Sequence, residues 1–366
     1  MMDVIAEAPA KLVLLGDYAV LEGARAMVLA VDRRAKVRMS ARADRLCNVS
    51  APDLGISEAQ ACIGDDGALQ WQLDEATQAK LTLVDHVWRG MLREGLAPAA
   101  GTGFDLQLDT SGFFHADGGV RSKLGLGSSA ALTVALASAI ATYAGHGDAM
   151  TDRPQWMRRL LHMHGGWQGG RGSGVDVAAS VAGGLISYQL AGAAREPTYE
   201  TMSADGLHCL FVWSGLSVST SDSLHRLAQW RQAHASDYAA HMNELGAVSA
   251  AAIDAWKQRR LQSFIGLTRD YALGLQHFAA ACGLEIYSPA QKQLADMASG
   301  TEVSYKPCGA GGDFGVVFAE DPERLATFER AIVSRGMHVV PLGLDSHGVS
   351  CHMQLDAPSP AARILT

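Results

Sequence analysis

The residues best suited to chemistry form a glycine-rich run with two serines, Gly125-Leu-Gly-Ser-Ser-Ala-Ala131, with Lys123 two residues before it and an apolar, alanine-rich stretch directly after it. Glycines let a backbone approach a polyphosphate closely, and a helix start offers unpaired N–H groups and the positive end of its dipole. The run reads as an anion site. Ser128 and Ser129 are expected to cap the helix and to supply a hydroxyl to a phosphate oxygen or to Mg²⁺. Because the lysine precedes the glycines, this is not a Walker A loop, and the spacing is not G-x-G-x-x-G. A glycine turn with a serine cap is the plainer alternative.

Three further segments carry candidate groups. Lys306-Pro-Cys-Gly-Ala-Gly-Gly-Asp-Phe-Gly315 holds four glycines in seven residues, more than a hairpin needs, which suggests close backbone approach to a ligand, the alternative being a wide flexible turn. In Ala8-Pro-Ala-Lys-Leu-Val-Leu-Leu15 a single lysine interrupts an apolar strand. Lysine is rarely buried unpaired, so Lys11 is read as meeting an anion, the alternative being an exposed edge-strand lysine. Gly165-Gly-Trp-Gln-Gly-Gly-Arg-Gly-Ser-Gly-Val-Asp176 delivers Asp176 to a helix start, where it is either a helix-dipole charge or, paired with Lys11, part of a site around a transferring phosphate.

The elements that must hold these groups follow from periodicity. Strands are expected over 3–8, 11–15, 27–31, 36–40 and 103–109, the first clear helix from Ser128 or Ser129 to about Tyr143, and a second over 153–164. A strand over 183–188 runs into the small, Pro-ended stretch 190–197, read as the connection between two domains, 1–192 and 193–366. Beyond it a strand (207–213) leads to helical residues 220–281, broken near Ser236 and Arg259. Then come helix 289–299, strands 302–305 and 313–318 around the glycine loop, helix 322–334 and strands 338–342 and 349–355. The irregular alternation indicates an α+β fold.

At 366 residues the chain exceeds one typical core, and 48% hydrophobic with 19% charged residues is the composition of a folded protein. A net charge of −8 argues against nucleic acid or anionic membrane as a partner but permits a small anionic substrate in a local basic pocket. The cysteines at 47, 62, 209, 282, 308 and 351 form no C-x-x-C pair, which fits a reducing, cytoplasmic setting. No signal peptide and no apolar run of about 20 residues is readable. A monomer or homodimer is expected.

The four segments, taken in chain order, resemble the motifs of the galactokinase, homoserine kinase, mevalonate kinase and phosphomevalonate kinase (GHMP) superfamily over residues 8–315. Gly16-Asp-Tyr-Ala-Val-Leu-Glu-Gly23, Lys123, Gly172-Ser-Gly-Val-Asp176 and Trp213-Ser-Gly-Leu-Ser-Val-Ser-Thr220 resemble the phosphomevalonate kinase branch. The resemblance implies an N-terminal domain of ribosomal-protein-S5-like architecture and a ferredoxin-like C-terminal domain. It implies ATP held by Lys123, Gly125, Leu126, Gly127, Ser128, Ser129 and Ala130, with Lys11 and Asp176 catalytic and Ser129 on Mg²⁺. The acceptor would meet Lys11, Asp17, Tyr18, Arg171, Ser173, Ser219, Thr220, Gly309, Ala310 and Gly311.

Two departures stand out. Asp17 occupies a place where the family usually has Glu, and no acidic residue lies between Arg153 and Val175, where the mevalonate kinase branch has a metal-binding glutamate. A hydroxyl acceptor benefits from a base, whereas a phosphate monoester with a second pKa near about 6 is already mostly ionised and needs cations, here Lys11, Lys123 and Arg171. The pattern therefore favours a phosphate monoester such as 5-phosphomevalonate over mevalonate or a sugar, or a catalytically silent sensor. His162 and His164 are read as a solvated helix end, Trp230 and Trp256 as packing residues, and Cys308 as a buried filler.

Overall fold

The computed structural model describes residues 2–117, 120–170, 172–191, 196–215 and 220–355. Two long strands, β1 (Met2–Leu15) and β2 (Ala26–Arg42), run antiparallel over most of their length. The sequence pattern splits each of them in two. The structure keeps them whole, because the pairing shifts register between Pro9 and Ala10 and the strand passes the proline through an irregularity instead of ending there.

Next come β3 (Cys47–Ala51), β4 (Ile56–Ile63), β5 (Leu69–Trp71), α1 (Glu75–Lys80), α2 (Thr82–Arg93), β6 (Gly103–Asp109) and the hairpin of β7 (Phe114–Asp117) with β8 (Val120–Lys123). Two helices thus precede Ser128, earlier than the sequence reading places the first. In α2 the buried Val84, Val87, Trp88 and Met91 recur at helical spacing. Helices α3 (Ser128–Tyr143), α4 (Arg153–Trp167) and α5 (Val175–Ala182) follow, and α3, buried nearly all round, packs on β1 and β2.

Strands β9 (Leu185–Ala191) and β10 (Glu196–Met202) complete the large sheet in the order β10-β9-β2-β6-β3-β4-β5, with β1 along the other edge of β2. The second layer holds β11 (His208–Trp213), α6 (Thr220–Ala233), α7 (Ala235–Lys257), α8 (Leu261–Cys282), α9 (Pro289–Ala298), β12 (Ser304–Pro307), β13 (Phe314–Ala319), α10 (Pro322–Val333) and β14 (His338–Val340). Its antiparallel sheet, β12-β13-β11-β14, has the β-α-β-β-α-β ferredoxin-like order, so the α+β expectation holds. No helix among the described residues is long and apolar enough to cross a membrane.

On either side of the division expected at 192/193, Leu190 and Pro197 face each other across the β9–β10 pair, so both ends of the small-residue stretch are strand residues of the large sheet. The last strand, β15 (Ser350–Leu355), also returns to pair with β1. One buried cluster then spans both layers, running from Leu12 and Leu14 through Met27 and Leu29 to Tyr271, Leu275 and Phe314.

Polar ties reinforce that seam. Arg25 donates to both carboxylate oxygens of Asp254 on α7 at 2.7 and 2.8 Å, and Ser249 Oγ donates to the Arg25 carbonyl at 2.7 Å. Hydrogen bonding from Arg25 holds the Asp254 carboxyl below its ordinary value. The folded state then binds fewer protons at this site than the unfolded chain. The stability it contributes is present above the unfolded carboxyl pKa, about 3.9, and is lost as pH falls through the lower folded value. Asp254→Asn is expected to cost about 0.5–1 kcal/mol at pH 7, the pair being partly exposed, with the deficit shrinking as acid protonates the native carboxylate. Urea melts of both proteins between pH 7 and pH 3 check this.

Candidate functional site

A cavity of about 490 Å³ opens where the two layers meet, and it gathers most of the groups singled out in the sequence. Lys11 comes from β1, Lys123 from the end of β8, Ser128 and Ser129 from the first turn of α3, and Asp176 from the first turn of α5. Gly309, Ala310 and Asp313 face them from the second layer, with Leu224 of α6 beside them.

The phosphate loop explains its own glycines. Gly125 and Gly127 have φ of 68° and 80°, the left-handed region that side chains disfavour. A Cβ on Gly127 would stand 3.0 Å from Lys11 Cε and 3.5 Å from Asp176 Cβ, so this glycine lets the loop pass between the two charged side chains. Backbone bonds fix the arrangement. Lys11 N donates to the Leu126 carbonyl at 3.1 Å, and Ser180 Oγ on α5 donates to the Pro9 carbonyl at 2.7 Å, which ties the Asp176 helix to the Lys11 strand. Lys11 and Asp176 do not form the ion pair expected of them. Asp176 instead accepts from the Val177 amide at 3.0 Å, and Gly127 lies between the pair.

The serines also depart from expectation. Gly127 is the N-cap of α3, and no side chain caps it. Ser129 Oγ lies 3.3 Å from His164 Nε2, and His164 is 1% exposed, so this histidine is a buried neighbour of the phosphate loop and not part of a solvated helix end; His162 is exposed. Leu126 and Ala130 are wholly buried and do not line the cavity, and the Ala130 amide donates within the helix start to the Gly127 carbonyl.

Residues 85–184, which include this loop and Asp176, match the GHMP kinases N terminal domain family. Over this stretch the chain is similar to GHMP kinases. It is 29% identical over 357 residues to the phosphomevalonate kinase of Streptomyces sp. (strain CL190), covering 87% of this chain and 90% of that one. To the mevalonate kinase of Aeropyrum pernix it is 27% identical over 315 residues, 84% and 85% of the two chains. In fold it is similar to Streptococcus pneumoniae phosphomevalonate kinase in complex with phosphomevalonate and AMPPNP, with a TM-score of 0.72 and 16% identity over 93% of this chain and 99% of that one.

The glycine loop of the second layer is held by a buried ion pair. Lys306 Nζ on β12 lies 2.7 Å from Asp17 Oδ2, both side chains 0% exposed, and Asp17 Oδ1 accepts from the Gly309 amide. Tyr18 OH donates to the Ala310 carbonyl at 2.7 Å and Tyr271 OH to the Asp17 carbonyl at 2.8 Å. Burial pushes the Asp17 carboxyl up, opposed by the Lys306 charge. Asp17 therefore spends its carboxylate on the loop, although its edge still borders the cavity.

Gly309 and Ala310 face the cavity, whereas a Cβ on Gly311 would strike the Ile286 carbonyl, so Gly311 turns away from it. Ser173 lines the cavity, and its carbonyl accepts from Tyr188 OH at 2.8 Å. Arg171 and Ser219 lie outside the described residues, as does the side chain of Thr220, the first residue of α6. Sequence reasoning missed Lys306, His164, Trp167, Gln168 and Asp313 as contributors. Asp313 closely approaches the phosphate loop, since a Cβ on Gly125 would collide with its carboxylate. Cys308 is buried, as expected of a filler, and burial pushes its thiol up to about 12.

Removing one member of a buried pair strands the other charge. Lys306→Met is expected to destabilise the fold by about 3–5 kcal/mol, whereas Lys306→Met with Asp17→Asn, which keeps an acceptor for the Gly309 amide, should recover most of that loss. Guanidinium melts of the wild type and both variants measure the difference.

Proposed function

We propose that the protein is an ATP-dependent phosphotransferase acting on a phosphate monoester, most specifically converting 5-phosphomevalonate to 5-diphosphomevalonate. The observation that carries this reading is Gly127 threaded between Lys11 and Asp176 at the N-terminus of α3, because it sets a polyphosphate-binding backbone against a cation and a carboxylate in one cavity. Support for the acceptor comes from the relatives, one named a phosphomevalonate kinase, and from Lys11 and Lys123 lining the same space.

In this mechanism the γ-phosphoryl end of ATP lies over the N–H groups of the α3 start, with Lys123 at the loop's entrance. Lys11 neutralises charge on the transferring phosphoryl group. An oxygen of the acceptor phosphate bonds to the γ-phosphorus as the γ-phosphorus bond to the β–γ bridging oxygen breaks, and ADP leaves with that electron pair. Positioning and charge neutralisation carry the rate, since an ionised phosphate needs little help in losing a proton. A hard oxygen donor, the Ser129 hydroxyl, fits Mg²⁺, which would supply charge neutralisation to the phosphates. Asp176 lines the cavity and could equally serve a hydroxyl acceptor as base, which keeps mevalonate, the substrate class named for the Aeropyrum pernix relative, as the second reading.

Asp176→Asn separates the two. With a phosphate acceptor, turnover should fall by less than about a hundredfold, whereas loss of a general base costs roughly 10²–10⁴. A coupled ADP-release assay over mevalonate, 5-phosphomevalonate and several sugars identifies the acceptor, and near-complete loss of 5-phosphomevalonate turnover in a folded Asp176→Asn protein would contradict the phosphate reading.

A further inference from the structure

Behind the phosphate-transfer cavity lies a second one, of about 340 Å³, that meets it along Gln168, Gly172 and Ser173, the segment leading into Asp176. Its lining has a distinct chemical character. Arg158 and His162, one turn apart on α4, point along the same helix face, and His164 borders the same space. Among the described residues no Asp or Glu lines it, in a chain of net charge −8. Among the described residues Arg158 makes no ion pair and no hydrogen bond, while the adjacent Arg159 is paired with Glu94. Leu161, Leu190 and Pro197 supply an apolar side to the cavity, and glycines 165, 166, 170, 172 and 174 keep its wall low.

A guanidinium with imidazole neighbours and an apolar flank suits an anion at the end of a short hydrocarbon body, and a guanidinium fork matches a carboxylate in two parallel hydrogen bonds. We propose that this cavity binds the remote carboxylate of the acceptor through Arg158 and His162, while the reacting end lies beside Lys11 in the first cavity. The inference rests on the reading of the first cavity as the transfer site and narrows its substrate class to small acids carrying an anion at the end opposite the reacting group. The carboxylate end is common to mevalonate and its phosphate, so the inference does not depend on which of the two reacts.

The experiment compares wild type, Arg158→Ala and Arg158→Lys on the accepted acid and on the same compound with its carboxylate reduced to an alcohol. Arg158 is exposed, so its replacement leaves the core untouched. In the wild type the acid should be favoured in kcat/KM by about ten- to a hundredfold, the range for a hydrogen bond to a charged group. Arg158→Ala should abolish that preference by raising KM for the acid, with KM for ATP unmoved, and Arg158→Lys should retain part of it. An Arg158→Ala enzyme that keeps the wild-type preference overturns the inference.

A wild type that turns over none of these acids overturns the proposed function instead. The second cavity is then tested alone by isothermal titration with glutarate. Binding that Arg158→Ala removes upholds it, whereas equal binding by both proteins, or none by the wild type, overturns it.

Discussion

Much of this molecule hangs on one buried charge pair. Asp17 follows β1, the strand that bears Lys11, and Lys306 sits on β12, in the other layer, 289 residues along the chain. Their 2.7 Å contact, sealed from solvent, is the point at which the second layer is registered against the first. An ion pair of this kind gives little net stability compared with apolar packing, because removing two charges from water costs several kcal/mol for each. Its effect is directional. Apolar surfaces can slide past one another, but a carboxylate that must meet both an ammonium and the Gly309 amide has very few acceptable positions. The Gly309–Ala310 backbone is thereby held over the cavity at one height.

The same logic runs through the phosphate loop. Lys11 and Asp176 reach the site from different elements, and each is located by a backbone contact rather than by the other: Lys11 through its amide on Leu126, Asp176 through Ser180 on the Pro9 carbonyl. With the scaffold fixing both, neither charge is neutralised by its neighbour, and both remain directed at whatever lies over Gly127. Preorganised, unspent charges are what transfer between polyanions requires.

How much of this was legible beforehand follows from the range of each interaction. The glycine loops, the lone lysine in an apolar strand and the aspartate at a helix start were readable because their reasons are local: backbone angles, the position of one side chain, a helix end. The ferredoxin-like order is what the family resemblance implies, and the alternation of runs after residue 207 agrees with it. What escaped was non-local. Nothing near Lys306 announces a partner at Asp17, and nothing near His164 announces that Ser129 will cover it, so the histidine read as solvated. The serine caps failed for a subtler reason: a left-handed glycine takes the N-cap position, which puts Ser128 and Ser129 at the first two helical positions. The early helix α2 is different, since its apolar spacing is present in the sequence.

The pairing of β15 with β1 has a consequence for how the chain reaches this form. Residues 2–7 bond to 350–355, so one side of the first strand stays without its partner until nearly all of the described chain has been made. Contacts so distant in sequence close late and slowly, because loop entropy must be overcome before they contribute. During synthesis the strand that carries the cavity's lysine would present an open edge, the kind of surface that invites pairing with another chain. In the assembled protein β15 covers that edge.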